Sequence, residues 1–122
     1  MRHKYLLAVL EDLLFTVKID GAAKRAGLTT QFVQSEEAAV ERAKEKPLVI
    51  IIDLNCRSLD PLALIVKLKD SDSSKVPLIG FVSHVQGELK QKAHQAGCDV
   101  VMARSAFSQN LPQILKRHAD AV

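Results

Sequence analysis

The sequence predicts a three-layer α/β protein in which a doubly wound, five-stranded parallel sheet carries helices on both faces. Apolar runs typical of strands alternate along the chain with segments of helical periodicity. One of these runs is aliphatic without interruption from Leu48 to Ile52, which is typical of a strand buried on both faces of a parallel sheet. Right-handed crossovers between such strands favour the doubly wound arrangement.

The five strands are predicted from short apolar runs that are bounded by turn residues or by helical segments. They are expected at residues 5–10, 29–33, 48–53, 77–82 and 100–102. Proline precedes the third run and opens the fourth, a position that suits the start of a strand.

The helices are predicted from their start and stop signals. Ser35 is followed by two glutamates and predicts a capped helix that runs to about residue 44, and Asp60 before a proline predicts another. Gly27 and Gly97 are expected just beyond the helices at 13–26 and 86–96, because glycine adopts the left-handed conformation that often ends a helix.

Two helices carry more detailed expectations. The first helix is predicted to have apolar groups at Leu14, Val17, Ala22 and Ala26. The last is expected to begin at a cap formed by Ser105 or Ser108. Its Pro112 would then lie near the first turn, and its inner face would carry Ile114 and Leu115.

Length and composition favour one domain, residues 1–122, with an aliphatic core, since aromatic residues make up only 4% of the chain. The net charge of +3 comes from scattered basic residues, which argues against direct binding of nucleic acid. Cys56 and Cys98 suit small apolar positions in a reducing compartment. No apolar run reaches the length of a membrane span, so we expect a cytoplasmic protein.

Three carboxylates follow the first and third predicted strands. Asp53 ends the long aliphatic run, and Glu11 and Asp12 follow the first strand. Ligands of open α/β sheets bind at the carboxyl ends of the strands, so these side chains are expected at one edge. Carboxylate oxygens are ligands for a hard divalent cation, and the cluster suggests phosphoryl chemistry.

Four landmarks in order carry a resemblance to a known family. They are the acidic pair at 11–12, the segment Val49–Asn55, the strand Val76–Ser83, and Ala96–Asp99 leading to Ala103–Arg104. Over essentially its whole length the chain resembles the receiver domain of bacterial two-component response regulators. The resemblance implies the flavodoxin-like strand order 2-1-3-4-5, a bound Mg²⁺, and an aspartate that accepts a phosphoryl group from a histidine kinase.

The resemblance assigns roles to four residues. Asp53 matches the phosphoacceptor. Glu11 and Asp12 match the acidic pair that holds Mg²⁺, with glutamate where aspartate is frequent. Asn55 matches the residue whose backbone carbonyl completes the metal shell.

The remaining positions depart from the family pattern. Val82 stands where the family has a hydroxyl, and Ser83 is a substitute only if the strand has ended or bulged by then. Arg104 replaces the family lysine, and Val101 replaces the aromatic switch residue. We expect Arg104 to pair with Asp53 through both guanidinium nitrogens, as in an occupied site.

Three hypotheses follow from this pattern. The first is a signalling domain, not an enzyme, that is phosphorylated on Asp53 by a histidine kinase or another signalling protein. The second is an interaction module that never uses phosphate, and it is favoured by the missing hydroxyl and aromatic residues. The third, a small phosphatase, is disfavoured because Asn55 is an amide and not an acid.

The resemblance also suggests an interface between two copies of the chain. It would form through the fourth helix, the fifth strand and the fifth helix. Phe107, Leu111 and Leu115 are consistent both with that interface and with core packing.

Overall fold

A five-stranded parallel sheet, with the strands in the order 2-1-3-4-5 when numbered along the chain, lies between two layers of helices. The computed structural model describes residues 4–71, 75–83 and 87–120. The strands are β1 (Tyr5–Val9), β2 (Thr29–Val33), β3 (Ile50–Asp53), β4 (Leu78–Val82) and β5 (Val100–Ala103); the helices are α1 (Leu13–Arg25), α2 (Glu36–Ala43), α3 (Pro61–Lys69), α4 (Gly87–Ala96) and α5 (Arg104–Asp120). The predicted fold class and strand order are confirmed, and strand ends differ from prediction by at most two residues.

Two apolar clusters hold the helices on opposite faces of the sheet. One cluster packs the strands against α2, α3 and α4, and the other packs them against α1 and α5. Alternate residues of β3 serve both, since Ile50 and Ile52 belong to the first cluster and Ile51 to the second. This explains why the central strand is aliphatic at successive positions.

The helix caps and the glycine stop predicted for the first three helices are confirmed. The Ser35 hydroxyl accepts a hydrogen bond from the Ala38 amide at 3.1 Å. The Asp60 carboxylate accepts from the amides of Leu62 and Ala63. Gly27 has a φ of 77° just beyond α1.

The fourth helix and its stop are confirmed where the structure describes them. α4 begins at Gly87, and the predicted first residue, Gln86, lies outside the described residues. Gly97 follows the helix with a φ of 121°, and its amide donates to the carbonyls of Ala93 and His94.

The predicted first helix is confirmed, but not all of its apolar positions face the core. Leu14 is 85% exposed and Val17 is 70% exposed, whereas Ala22 is buried together with Phe15 and Ile19. Phe15 contacts two buried aromatic rings, so burying it gains more apolar contact than burying a leucine.

The predicted start of the last helix is also wrong. α5 begins at Arg104, directly after β5, and not at Ser105 or Ser108. Pro112 lies inside the helix rather than in its first turn. An interior proline costs a helix about 3 kcal/mol. Leu111 and Leu115 flank it and are almost completely buried, so core packing offsets that cost.

Both cysteines are buried free thiols, as predicted for small apolar positions. Across residues 4–71, 75–83 and 87–120, no helix combines the length and the apolar character that crossing a membrane requires.

Candidate functional site at the carboxyl edge of the sheet

The register of the strands brings the predicted acidic residues to one edge. Val9 pairs with Ile52 across β1 and β3, so the chain leaves both strands at nearly the same height. Glu11 and Asp12 follow β1, and Asp53 is the last residue of β3. These strands flank the point where the strand order reverses, where open α/β sheets bind ligands.

Asp53 is a half-buried carboxylate at this edge. Its Oδ1 accepts a hydrogen bond from the Asn55 amide at 2.9 Å. Burial raises the pKa of Asp53 above its ordinary value, although the Asn55 amide and the charge of Arg104 oppose that shift. The ionised form of Asp53 is therefore held at some cost to the fold.

This cost predicts that Asp53→Asn is more stable than the wild type at pH 7. A carboxyl whose pKa is raised on folding contributes stability below its unfolded pKa of about 3.9, and this contribution is lost as the pH rises through the folded pKa. Asparagine retains an oxygen for the Asn55 amide but has no charge to desolvate. We expect a higher Tm for the variant at pH 7, with the difference closing below about pH 4.

Thermal unfolding from pH 3.5 to pH 8 measures this difference. Glu41→Gln is the matched control, because it changes an exposed, surface-paired carboxylate to an amide and is expected to shift stability by no more than about 0.5 kcal/mol. An Asp53→Asn variant that is less stable than the wild type at pH 7 would contradict the prediction.

Asp12 caps α1 and also forms an ion pair. Its Oδ1 accepts from the Phe15 amide at 3.1 Å, and its Oδ2 accepts from the Arg104 guanidinium. The bond from Arg104 is the main reason that the pKa of Asp12 lies below its ordinary value, and the Phe15 amide adds to the effect. Both oxygens of Asp12 are therefore engaged by groups of the protein.

The guanidinium of Arg104 lies against α1. Its central carbon is 4.6 Å from the centroid of the Phe15 ring, a cation–π arrangement, while its nitrogen bonds to Asp12. The prediction that Arg104 pairs with Asp53 is wrong in this structure. The first turn of α1 offers a carboxylate and a ring face together, and Arg104 binds both.

Glu11 anchors the loop that follows β3. Its Oε1 accepts from the amides of Arg57 at 2.7 Å and Ser58 at 3.0 Å, and from the Cys56 thiol at 3.3 Å. These hydrogen bonds, with the Arg57 amide foremost, lower the pKa of Glu11. Glu11 therefore has a positioning role here that sequence reasoning missed.

The positioning role of Glu11 could not be predicted, because the backbone amides that bind it have no signature in the sequence. Ser58 extends the connection further, because its hydroxyl donates to the Gln34 carbonyl at 2.6 Å. Three loops at this edge are thus linked through Glu11 and Ser58.

Two of the predicted metal ligands, Glu11 and Asp12, are hydrogen-bonded within the protein. No group of three acidic, histidine or cysteine side chains suited to a metal ion occurs among the residues that the structure describes. Glu11 is bound to the Cys56–Ser58 loop and Asp12 to Arg104. Binding of Mg²⁺ by Glu11, Asp12, Asp53 and the Asn55 carbonyl stays a prediction.

Ser83 lies beyond the end of β4, which is the condition under which its hydroxyl could replace the one that the family has at position 82. β4 ends at Val82, so Ser83 is the first residue beyond the strand and is exposed. Its amide donates to Asn55 Oδ1 at 2.8 Å, which ties the β4 loop to the β3 loop. Val82 and Val101 are buried aliphatic residues. The role of Ser83 as a substitute hydroxyl stays a prediction.

Three phenylalanines form the floor beneath Arg104. The rings of Phe81 and Phe107 are stacked with centroids 5.1 Å apart, and Phe15 lies 4.9 Å from Phe81. Phe107 is completely buried, which confirms core packing at this position. The site thus has an apolar floor and a charged rim.

The order of the strands, with helices on both faces of the parallel sheet, defines the class of fold: the chain has the flavodoxin-like fold that is seen in response regulator receiver domains. No family model matches the sequence, and no curated protein matches it. Solved structures of receiver domains and response regulators share the fold of this chain, at sequence identities of 14–21%.

Three of these structures illustrate the match. A CheY-like receiver domain protein of Methanospirillum hungatei has 14% identity and a TM-score of 0.82, with 98% of this chain and 95% of that chain covered. The receiver domain of a Pseudomonas aeruginosa sensor histidine kinase has 21% identity and a TM-score of 0.81, with 97% and 98% covered, and holds a magnesium ion in its active-site cleft. A response regulator of Thermotoga maritima has 15% identity and a TM-score of 0.78, with 97% and 98% covered.

Proposed function

We propose that the chain is a receiver-type signalling domain in which Asp53 is the phosphoacceptor. The observation that carries this proposal is the position of Asp53, half-buried at the end of β3 beside the point where the strand order reverses. Asp12 and Arg104 lie at the same edge, and their charges act on the Asp53 carboxyl. A half-buried carboxylate with a cation at the same edge suits the binding of a phosphoryl group.

The proposed step is a phosphoryl transfer to a carboxylate. An Asp53 oxygen forms a bond to phosphorus while the bond between phosphorus and the donor nitrogen breaks, and that nitrogen takes a proton. The transition state is stabilised mainly by alignment and by positive charge. Arg104, which lies at the same edge as Asp53, would supply the positive charge.

Mg²⁺ is the proposed cofactor of this site. Oxygen ligands suit it, and the Pseudomonas aeruginosa neighbour holds magnesium in its cleft. Each oxygen of Asp12 already accepts a hydrogen bond, so Mg²⁺ at Asp12 would compete with Arg104 and with the cap of α1.

The proposed partner is a histidine kinase or another signalling protein, in the cytoplasm. A homodimer through the face formed by α4, β5 and α5 is also proposed. Phe107, Leu111 and Leu115 are buried in the core, so such a dimer would use other residues of that face.

The second candidate is an interaction module that works without phosphate. The specific observation in its favour is that a cation already pairs with Asp12. Val82, buried at the position of the family hydroxyl, offers a phosphoryl oxygen no hydrogen bond. In this alternative a partner would recognise the folded surface alone.

Intact-protein mass spectrometry after incubation with phosphoramidate, with and without MgCl₂, tests the proposal. We expect one phosphoryl adduct on the wild type, none on Asp53→Asn, and an unchanged adduct on Asp70→Asn, which alters an exposed carboxylate at the end of α3. Circular dichroism verifies that each variant is folded. Absence of the adduct from folded wild type would refute phosphoacceptance and favour the interaction module, and an adduct on Asp53→Asn would exclude Asp53 as the acceptor.

A further inference from the structure

Arg104 occupies an electrostatically unfavourable place in its own helix. It is the first residue of α5, and the first turn of that helix contains no acidic residue. The amino terminus of a helix carries partial positive charge, which disfavours a cation there. Groups outside α5 must therefore compensate for the arginine.

Both compensating groups come from α1. Asp12 supplies a carboxylate, and Phe15, three residues later, supplies the face of its ring 4.6 Å from the guanidinium carbon. Phe15 is held in turn by Phe81 and Phe107. The position of Arg104 is thus set by a buried aromatic cluster and not by a flexible surface contact.

Both carboxylate oxygens of Asp12 are bound by groups of the protein. One oxygen caps α1 through the Phe15 amide, and the other binds Arg104. The two side chains are about one-third exposed, at 33% for Asp12 and 35% for Arg104, so solvent screens their attraction only in part.

We propose that Arg104 is an internal counter-ion that competes with divalent cations for Asp12. Arg104 binds the Asp12 oxygen that does not cap α1, which is the oxygen most open to a metal ion, and the guanidinium also repels a cation that approaches this edge. Metal affinity is therefore set by how readily Arg104 leaves Asp12, because the guanidinium neutralises that carboxylate without metal.

This inference rests on the proposed function only in treating Asp12 as a carboxylate of the acceptor site. Its test reads metal binding and thermal stability, whereas the proposed function is tested by a covalent adduct. Failure of one is therefore distinguishable from failure of the other.

The experiment titrates Mn²⁺ into the full chain and follows the free-ion signal by electron paramagnetic resonance. We expect Arg104→Gln to bind Mn²⁺ at least about tenfold more tightly than the wild type, within the usual range of coupling between two binding events. Arg117→Gln is the matched control, because it removes the same charge from an exposed position near the other end of α5 and is expected to leave the affinity unchanged.

A second variant reports on the carboxylate. Asp12→Asn keeps an effective helix cap but loses the charge, and we expect it to lose Mn²⁺ binding in the Arg104→Gln background. Without metal, Arg104→Gln is expected to have a lower Tm than the wild type, and Mn²⁺ is expected to restore part of the loss.

Two results would overturn the inference. One is equal Mn²⁺ affinity in the wild type and in folded Arg104→Gln, whether both bind or neither does. The other is Mn²⁺ binding that persists when Asp12→Asn is combined with Arg104→Gln. If the glutamine variant does not fold, Arg104→Lys decides, since its weaker fit to Asp12 predicts tighter Mn²⁺ binding than in the wild type, and unchanged binding would refute the competition.

Discussion

Replacing Phe107 with alanine is expected to lower the free energy of unfolding by about 3–5 kcal/mol. The side chain is completely buried, is stacked on Phe81 and lies 5.9 Å from Phe15 between ring centroids. Truncation removes one of the three rings of this cluster and leaves a cavity in the core. Because domains of this kind are stable by only about 5–15 kcal/mol, a large share of the total would be lost.

Urea denaturation followed by circular dichroism measures the loss. Leu14→Ala is the control, because it truncates an apolar side chain that is 85% exposed on α1 and is expected to change stability by less than about 0.5 kcal/mol. A loss below about 1 kcal/mol for Phe107→Ala would show that the cluster repacks and is not a rigid floor.

Replacing Gly97 with alanine is expected to destabilise the domain by about 1–3 kcal/mol. Its φ of 121° lies in a region that residues with a side chain rarely adopt. An added Cβ would also lie 2.5 Å from Cγ and 3.2 Å from Cβ of Lys69. Lys69 cannot easily move aside, because its ammonium group bonds to Asp99 at 3.1 Å.

The matched substitution is Gly21→Ala, which has the opposite expected sign. Gly21 lies inside α1 with only the end of the Arg25 side chain within 4 Å of an added Cβ, at 3.6 Å. Alanine there should stabilise the protein by about 0.5–1 kcal/mol, because glycine costs a helix interior that amount. Thermal unfolding of both variants tests the pair, and stabilisation by Gly97→Ala would contradict the assigned backbone strain.

The fold was predictable because its signals are local. The aliphatic run that ends at Asp53, the cap at Asp60 and the glycine stop at Gly97 each depend on a few neighbouring residues. Local signals failed where distant packing outweighed them. Phe15, Ile19 and Ala22 follow a helical period of their own, and the contacts of Phe15 with Phe81 and Phe107 decide that this face is buried.

That the candidate residues lie at one edge was predictable, but their pairings were not. Glu11, Asp12, Asp53 and Arg104 meet at one edge because strand order and register bring them there. Which carboxylate receives Arg104 depends on the orientation of the first turn of α1, which an aromatic contact decides. The partners of Glu11 are mainly backbone amides, which every residue except proline carries.

The two helix layers differ in their contact with the Asp12–Arg104 pair. The Asp12–Arg104 pair joins the first turns of α1 and α5, and both helices pack on the same face of the sheet over the phenylalanine cluster. The layer of α2, α3 and α4 packs on the other face around aliphatic residues. A change that opens the pair therefore frees two neighbouring helix ends on one side of the molecule, while the opposite layer is reached through the sheet and through the loops that Glu11 and Ser58 link. The two faces of the sheet are therefore not equivalent, because the ion pair lies on the side of α1 and α5.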